Sequence, residues 1–404
     1  MKFAKMLALL LAALLAGCAS VKRLPPPDHY ATLAGIPGIP DVRVWGDNGT
    51  IVDQNGLRLL RQRMAEDPDF DPQAPIHFLA ISGGGQKGAF GAGLLSGWTD
   101  SGTRPEFRMV TGISTGSLLA PFAFLGPEYD RAIQEMYTRF STKDVLKHRF
   151  FSGLFTGDSM ADNAPLRNIV ETYFTPVEME KVAREYGRGR WLLVGTTYLD
   201  VQRPVIWNIG AIASSGHPDA YDLIIDVLLA SSAIPGVFPP VYFKVERNGQ
   251  TFDELHVDGG VTTQVFISPV SYNMEDALKR AGFEGEAHVY LIRNAKVSPE
   301  IEHLKPKTVP ILTQSLATLL RAQGLGDMYR IYQNAQINNM AYHVAYLPDH
   351  FRDEPDDLFN IEYMSALFQL AYTQAQNGYP WESKLPEFKQ VGGLGKEETG
   401  ILER

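Results

Sequence analysis

The sequence predicts an α/β protein: a mostly parallel central sheet in three layers, with helices on both faces. Two observations carry this. Short apolar runs closed by glycine turns are each followed by a segment with helical spacing. The chain is also long enough to fill a large core, with 404 residues of which 45% are hydrophobic and 21% charged. Strands that alternate with helices imply parallel pairing, because a parallel neighbour needs a crossover long enough to hold a helix.

The elements follow in order. Residues 76–82 read as a buried strand, closed by Gly83-Gly84-Gly85, and residues 86–98 as a helix with Phe90, Leu94, Leu95 and Trp98 on one face. Residues 107–111 give a second strand, 112–116 a tight turn, and 117–125 a helix that tolerates Pro121 poorly. Further strands are expected at 191–197, 204–209 and 288–293, and a short helix near 54–64. Beyond about residue 300 the text turns helical. Leu312, Leu316, Leu319 and Leu320 share one face, and Ile361, Met364, Leu367, Phe368 and Leu370 follow until Asn377-Gly378 ends the run. The expected division is a signal segment 1–17, a tether and N-terminal segment 18–74, a catalytic domain 75–300 and a helical C-terminal region 301–404. No repeats are present in the sequence, and its last hundred residues lack the alternating ten-residue segments of a membrane barrel.

The N-terminus has the order of a secretory signal: Lys2 and Lys5, an apolar run from Met6 to Ala16, then Leu15-Ala16-Gly17-Cys18. The run is too short to span a bilayer, which takes about 20 residues. Cys18 is the single cysteine, so no intramolecular disulfide is available, and it stands where a cleavage site belongs. The tetrapeptide resembles the bacterial lipobox, which implies lipidation of Cys18 and stable anchoring by several acyl chains. The expected place is the bacterial cell envelope, on a membrane and most naturally the outer one. Pro25-Pro26-Pro27, Pro37 and Pro40 favour an extended tether after the anchor. Loss of the two lysines would leave 35 basic against 46 acidic residues. That balance argues against nucleic acid as a partner and against attraction of the whole chain to an anionic surface.

Three motifs carry chemistry. Gly112-Ile113-Ser114-Thr115-Gly116 is G-x-S-x-G between a strand and a helix, the context in which a serine projects from a sharp turn. Gly83-Gly84-Gly85-Gln86-Lys87-Gly88 opens a helix with backbone N–H groups that a ligand can approach without side-chain interference. It also fits the dinucleotide fingerprint, but the second strand ends in Val110-Thr111-Gly112 with no carboxylate for a ribose, and a P-loop is excluded because Ala89-Phe90 stand where Lys and Ser/Thr are required. In Leu255-His256-Val257-Asp258-Gly259-Gly260 an apolar strand delivers a carboxylate to the same sheet edge as Ser114. By itself Asp-Gly is also a common turn pair.

In this order the three motifs resemble the patatin-like phospholipases. A fourth segment agrees: Ala230-Ser231-Ser232-Ala233-Ile234-Pro235-Gly236-Val237-Phe238-Pro239-Pro240 is similar to a stretch that lies beside the site in that family. The resemblance covers about residues 76–295. It implies a three-layer patatin-like fold and a serine acyl hydrolase acting on lipid or other acyl esters through an acyl-enzyme. Ser114 would be the nucleophile, Asp258 its base, and the N–H groups of Gly83, Gly84 and Gly85 the oxyanion hole. Gly88, Gly112, Gly116, Gly259 and Gly260 would support the motifs. The family more often has Arg where Lys87 stands, and lysine keeps the charge without the planar fork. No cofactor is implied.

A three-membered site would need a histidine, and His288, His303, His343 and His350 follow the acid, while His256 lies two residues before it. None sits in a loop signal, and a surface or packed role is expected for each. No histidine pair has helix-ligand spacing, so metal binding is not expected. Two readings besides the lipid hydrolase stay open: a catalytically silent, membrane-anchored interaction module and a serine protease on the same dyad. The oligomeric state is left open by the sequence.

Overall fold

The computed structural model describes residues 23–27, 33–48, 71–148, 161–268, 273–300, 303–351 and 357–385, with a few positions between 61 and 69 and residue 355. The expected signal segment 1–17, Cys18 and most of the helix expected over 54–64 lie outside the described residues.

A nine-stranded sheet organises the chain. Its strands are β1 (Arg43–Trp45), β2 (Ile76–Ile81), β3 (Met109–Ile113), β4 (Trp191–Tyr198), β5 (Arg203–Asn208), β6 (Val241–Arg247), β7 (Gln250–Asp258), β8 (Ala287–Arg293) and β9 (Ala341–Tyr346). Across the sheet the order is β1-β5-β4-β3-β2-β8-β9, and from β4 to β9 every pairing is parallel. β5 and β1 continue it antiparallel on one side, while β7 pairs antiparallel with β4 and β6. The parallel strands are nearly continuous apolar text because both faces are covered. In β2, Leu79 and Ile81 enter one core while Ile76, Phe78 and Ala80 enter the other.

The longer helices are α1 (Gly88–Asp100), α2 (Thr115–Leu125), α3 (Asp130–Thr138), α4 (Ala164–Tyr173), α5 (Pro176–Gly187), α6 (Ala220–Ser231), α7 (Met274–Ala281), α8 (Thr308–Ile337) and α9 (Ile361–Gln376). α2 runs through Pro121 without ending, and its neighbours Leu119, Ala120, Phe122, Ala123 and Phe124 are all buried. Packing here outweighs the missing hydrogen bond. β3 starts and ends two residues later than the sequence suggests. Gly112, expected in the turn, pairs with Ile81 and Val194 in the ladder.

Residues beyond 300 form the expected helices and also supply a strand, β9, that extends the sheet at β8. The strand is short and sits between helical segments, so its alternation carries little signal. α9 crosses α1 at Gly93 and Gly97, where a Cβ would stand 2.1 Å from the Phe368 carbonyl oxygen and 2.2 Å from that of Tyr372. Only glycine permits that approach. β9 and α9 are therefore continuous with the core.

One feature of the register positions the site. β3 stops at Ile113, opposite Gly195 of β4, and the next residue of β4, Thr196, is paired with Asp258 at the end of β7. β3 and β7 thus share one lane beside β4 from opposite directions, and their ends meet.

Candidate active site

Ser114 follows β3 directly and takes φ 53° and ψ −127°, a left-handed conformation costly for a residue with a Cβ. The turn is held from three sides. Ser114 N–H donates to Ser231 Oγ at 3.0 Å, and Ser231 Oγ donates to the Gly195 carbonyl at 2.7 Å. The Ser114 carbonyl accepts from Ser117 Oγ at 2.7 Å and from Ser232 Oγ at 3.3 Å. The flanking glycines are steric necessities: a Cβ on Gly112 would lie 2.4 Å from the Gly116 carbonyl oxygen, and one on Gly116 would lie 2.3 Å from that of Ile81.

The Ser114 hydroxyl donates to Asp258 Oδ2 at 2.6 Å, and Gly260 N–H donates to Asp258 Oδ1 at 2.7 Å. Both side chains are buried. Burial pushes the Asp258 carboxyl up to about 7, against the lowering effect of its two hydrogen bonds. Such a carboxylate is a base poised near neutrality, within reach of one hydroxyl. Gly259 lies against the Gly195 carbonyl and Gly260 against the Gln264 side chain, so Asp258 is followed by residues that admit no Cβ without displacement.

The glycine loop after β2 stands beside this pair, with a Cβ position on Gly83 only 3.2 Å from Ser114 Cβ. Gly83 N–H donates to the Gln264 carbonyl at 3.1 Å and is not available to a ligand. Among the described residues Gly84 and Gly85 N–H have no acceptor, and Gly85 lines the cavity that opens over Ser114. Of the three N–H groups expected as donors, that of Gly83 is thus spent on fixing the loop. Gly88 begins α1 against Thr115, and Lys87 lies in the single 3₁₀ turn between loop and helix.

Residues the sequence did not single out complete the frame. Asn294, immediately after β8, receives Gly91 N–H on Oδ1 at 3.0 Å and donates Nδ2–H to the Ser82 carbonyl at 2.9 Å. Gln264 donates Nε2–H to the Gly260 carbonyl at 2.9 Å and so ties the acid's loop to the glycine loop. Gln86 Nε2–H donates to the Asp357 carbonyl at 3.0 Å, and its Oε1 accepts Asn360 N–H at 2.9 Å. Their positions after strand ends were the available signal; their partners, far away in sequence, gave none.

The walls of this cavity are largely apolar: Leu118, Met136, Phe140, Val145, Leu166, Ile169, Ile234 and Phe238, joined by Phe359 and Met364 from the C-terminal region. No described histidine is hydrogen-bonded to the pair. His256 is fully buried, shares a hydrogen bond with Thr196 Oγ1 at 2.9 Å and another with Glu254 at 3.2 Å, and stacks on Tyr198. Burial holds its imidazole below the ordinary range. His288 and His343 bond each other at 3.1 Å near the opposite ends of their strands, and His303 and His350 are exposed. Among the described residues no group of His, Cys, Asp or Glu has the arrangement to hold a metal ion.

Residues 79–270 match the family model of patatin-like phospholipases. This segment belongs to the patatin-like phospholipase family. No curated protein matches the chain. Among solved structures, VipD from Legionella pneumophila is similar at 13% identity and TM-score 0.41, with 75% of this chain and 66% of VipD covered. Human GIVD cytosolic phospholipase A2 is similar at 10% identity and TM-score 0.35, with 89% of this chain and 68% of that one covered. A second structure of the human enzyme, in complex with methyl gamma-linolenyl fluorophosphonate, gives 10%, 0.32, 80% and 60% in the same order. The chain thus spans about two thirds of the length of these proteins. The match of the patatin-like segment ends before β8, so Asn294, β9 and α9 lie beyond it, although Asn294 bonds Gly91 of its first helix and α9 packs on that helix.

Proposed function

We propose that this patatin-like protein is a lipid acyl hydrolase working through a Ser114–Asp258 dyad. The observation that carries it is the 2.6 Å hydrogen bond from a strained, buried serine to a carboxylate raised to about 7, at the floor of an apolar cavity.

Ser114 Oγ adds to the acyl carbonyl carbon while its proton passes to Asp258 Oδ2. Gly84 and Gly85 N–H receive the oxygen that becomes anionic, donors already fixed by Asn294 and Gln264 through the loop they tie down. Asp258 returns the proton to the departing alcohol oxygen as the ester bond breaks, leaving the acyl group on Ser114. Water then gives its proton to Asp258 as its oxygen attacks, and Ser114 Oγ leaves with that proton as the fatty acid is released. The apolar walls suit an acyl chain and have little to offer a peptide backbone, which needs hydrogen-bonding partners throughout. Cys18 would carry the lipid that keeps the enzyme on a membrane of the bacterial envelope, within reach of such substrates.

The test is labelling with a fluorophosphonate alongside hydrolysis of a short acyl ester. Wild-type protein should show both, and Ser114→Ala neither. Stoichiometric labelling of the Ser114→Ala protein would assign the attack to another residue.

A further inference from the structure

α8 is two helices in character. From Gly324 onward it packs into the sheet's second core, where Met328, Ile331 and Ala335 are buried. Residues 308–320 contain no charged side chain, yet Ile311, Leu312, Leu316 and Leu319 are 50%, 69%, 45% and 66% exposed. At 100° per residue these four fall within an arc of about 140°. Two of the exposed hydroxyls in this stretch are internally satisfied, since Ser315 Oγ donates to the Ile311 carbonyl and Thr318 Oγ1 to that of Gln314, each at 2.7 Å. Hydroxyls bonded back to their own helix ask little of water. An apolar stripe of this size on a surface calls for a partner.

Its place in the fold identifies the partner. β8 and β9 are parallel, so α8 must run back across the sheet and begin beyond the C-terminal edge. Gly324 touches the guanidinium of Arg293, the last residue of β8, and Asp327 Oδ2 accepts Gln264 N–H at 2.7 Å. Residues 311–319 therefore stand about 8 to 20 Å past the edge that bears Ser114, at 1.5 Å per residue. Exposed Lys305 and Lys307 precede the helix. Thirteen uncharged residues cannot cross a bilayer, and among the described residues no helix is long and apolar enough to do so.

We propose that residues 304–320 are an interfacial docking element. The stripe of Ile311, Leu312, Leu316 and Leu319 enters a lipid surface, Lys305 and Lys307 meet its phosphates, and the catalytic edge is turned toward the bilayer. Local apolar burial drives the contact, since the acidic chain as a whole does not favour an anionic surface. The docking itself is independent of the hydrolase reading; its effect on turnover rests on that reading.

The experiment uses the full-length chain carrying Cys18→Ser, so that no covalent lipid contributes, and vesicles of phosphatidylcholine and phosphatidylglycerol. Leu312→Glu and Leu319→Glu should each lower vesicle partitioning by more than about tenfold, or roughly 1.4 kcal/mol. Hydrolysis of vesicle lipid should fall in parallel, with hydrolysis of a soluble short ester unchanged within about twofold. Lys305→Glu should weaken partitioning more on vesicles containing phosphatidylglycerol than on pure phosphatidylcholine. Unchanged partitioning of both leucine variants would overturn the proposal, as would a lipid-free dimer in light scattering that both variants dissolve, since a second copy would then cover the stripe. Vesicle binding that responds as expected, with no turnover of either substrate by the parent chain, would leave docking standing and remove the hydrolase reading.

Discussion

The two ends of the parallel sheet bury ionisable groups in opposite ways. At the C-terminal edge, Asp258 is buried with both carboxylate oxygens hydrogen-bonded, and the serine beside it is held in a strained turn by three other serines. At the N-terminal edge, His77, His288 and His343 line up on adjacent strands among Tyr290, Trp98 and Trp381. There His77 Nδ1 has no hydrogen-bond partner among the described residues, and burial with two histidine neighbours lowers its imidazole to about 4. One end keeps a proton acceptor poised and partnered; the other keeps the His77 imidazole neutral and packed. The difference teaches that burial alone does not make a site. A shifted group can act where a nucleophile, donors and a cavity converge on it.

The largest break in this comparison is expected from Ser114→Ala, which should lower kcat on any ester by on the order of 10⁴-fold or more, read in single-turnover assays. Asp258→Asn should follow with a loss of about 10³-fold or more, and it should also separate function from stability. Folding favours the protonated form of a carboxyl raised from 3.8 to about 7. Its contribution is therefore fully present below pH 3.8 and is lost as pH rises through 7, toward a cost on the order of 4 kcal/mol. The amide carries no such cost, so Asp258→Asn should melt at higher temperature than wild type at pH 8 and close to it at pH 4. A mutant less stable at pH 8 would contradict the desolvated carboxylate.

The acid limb of kcat/KM should lie near pH 7, the range of an ordinary histidine, so the limb cannot by itself tell dyad from triad. Replacement does. His256→Gln, His288→Phe and His343→Phe should each keep turnover within about tenfold, which is about 1.4 kcal/mol of barrier. A loss at any of them equal to that at Asp258 would bring the two ends of the comparison together.

Smaller effects sharpen it. Gln86→Leu removes the two bonds that tie the glycine loop to residues 357–360, and a drop of about tenfold in kcat with KM little changed would mark it as a positioning residue. The smallest effect is expected at His77→Phe. The wild-type imidazole favours the folded state while neutral, a contribution complete above pH 6.5 and lost as pH falls toward 4. The substitution should flatten the loss of melting temperature over that window and leave activity near neutrality alone.

Much of this was legible in the text. β2, the glycine loop and α1, then β3, the elbow and α2, are local signals, each set by apolar runs and by glycines where no Cβ fits. Ser114 and Asp258 could be singled out because each stands at the end of an apolar strand beside such glycines. The engagement of Gly83 N–H was not legible, since its acceptor on Gln264 belongs to a loop 181 residues away. β9 was missed because a short strand between helices leaves little periodicity, and the partners of Asn294 and Gln86 are 203 and 274 residues distant.

By itself, then, the sequence determined which residue types stand at which strand ends, because turn sterics and apolar spacing act over a few neighbouring residues. Only the tertiary structure decided that β3 and β7 share one lane beside β4 and bring Ser114 to 2.6 Å from Asp258. It also decided that the carboxyl, pushed up to about 7, is buried, and that half of α8 stands clear of the core past the same edge. Register and burial belong to contacts between segments far apart in the chain, and desolvation is a property of the assembled surroundings that no local run of residues carries.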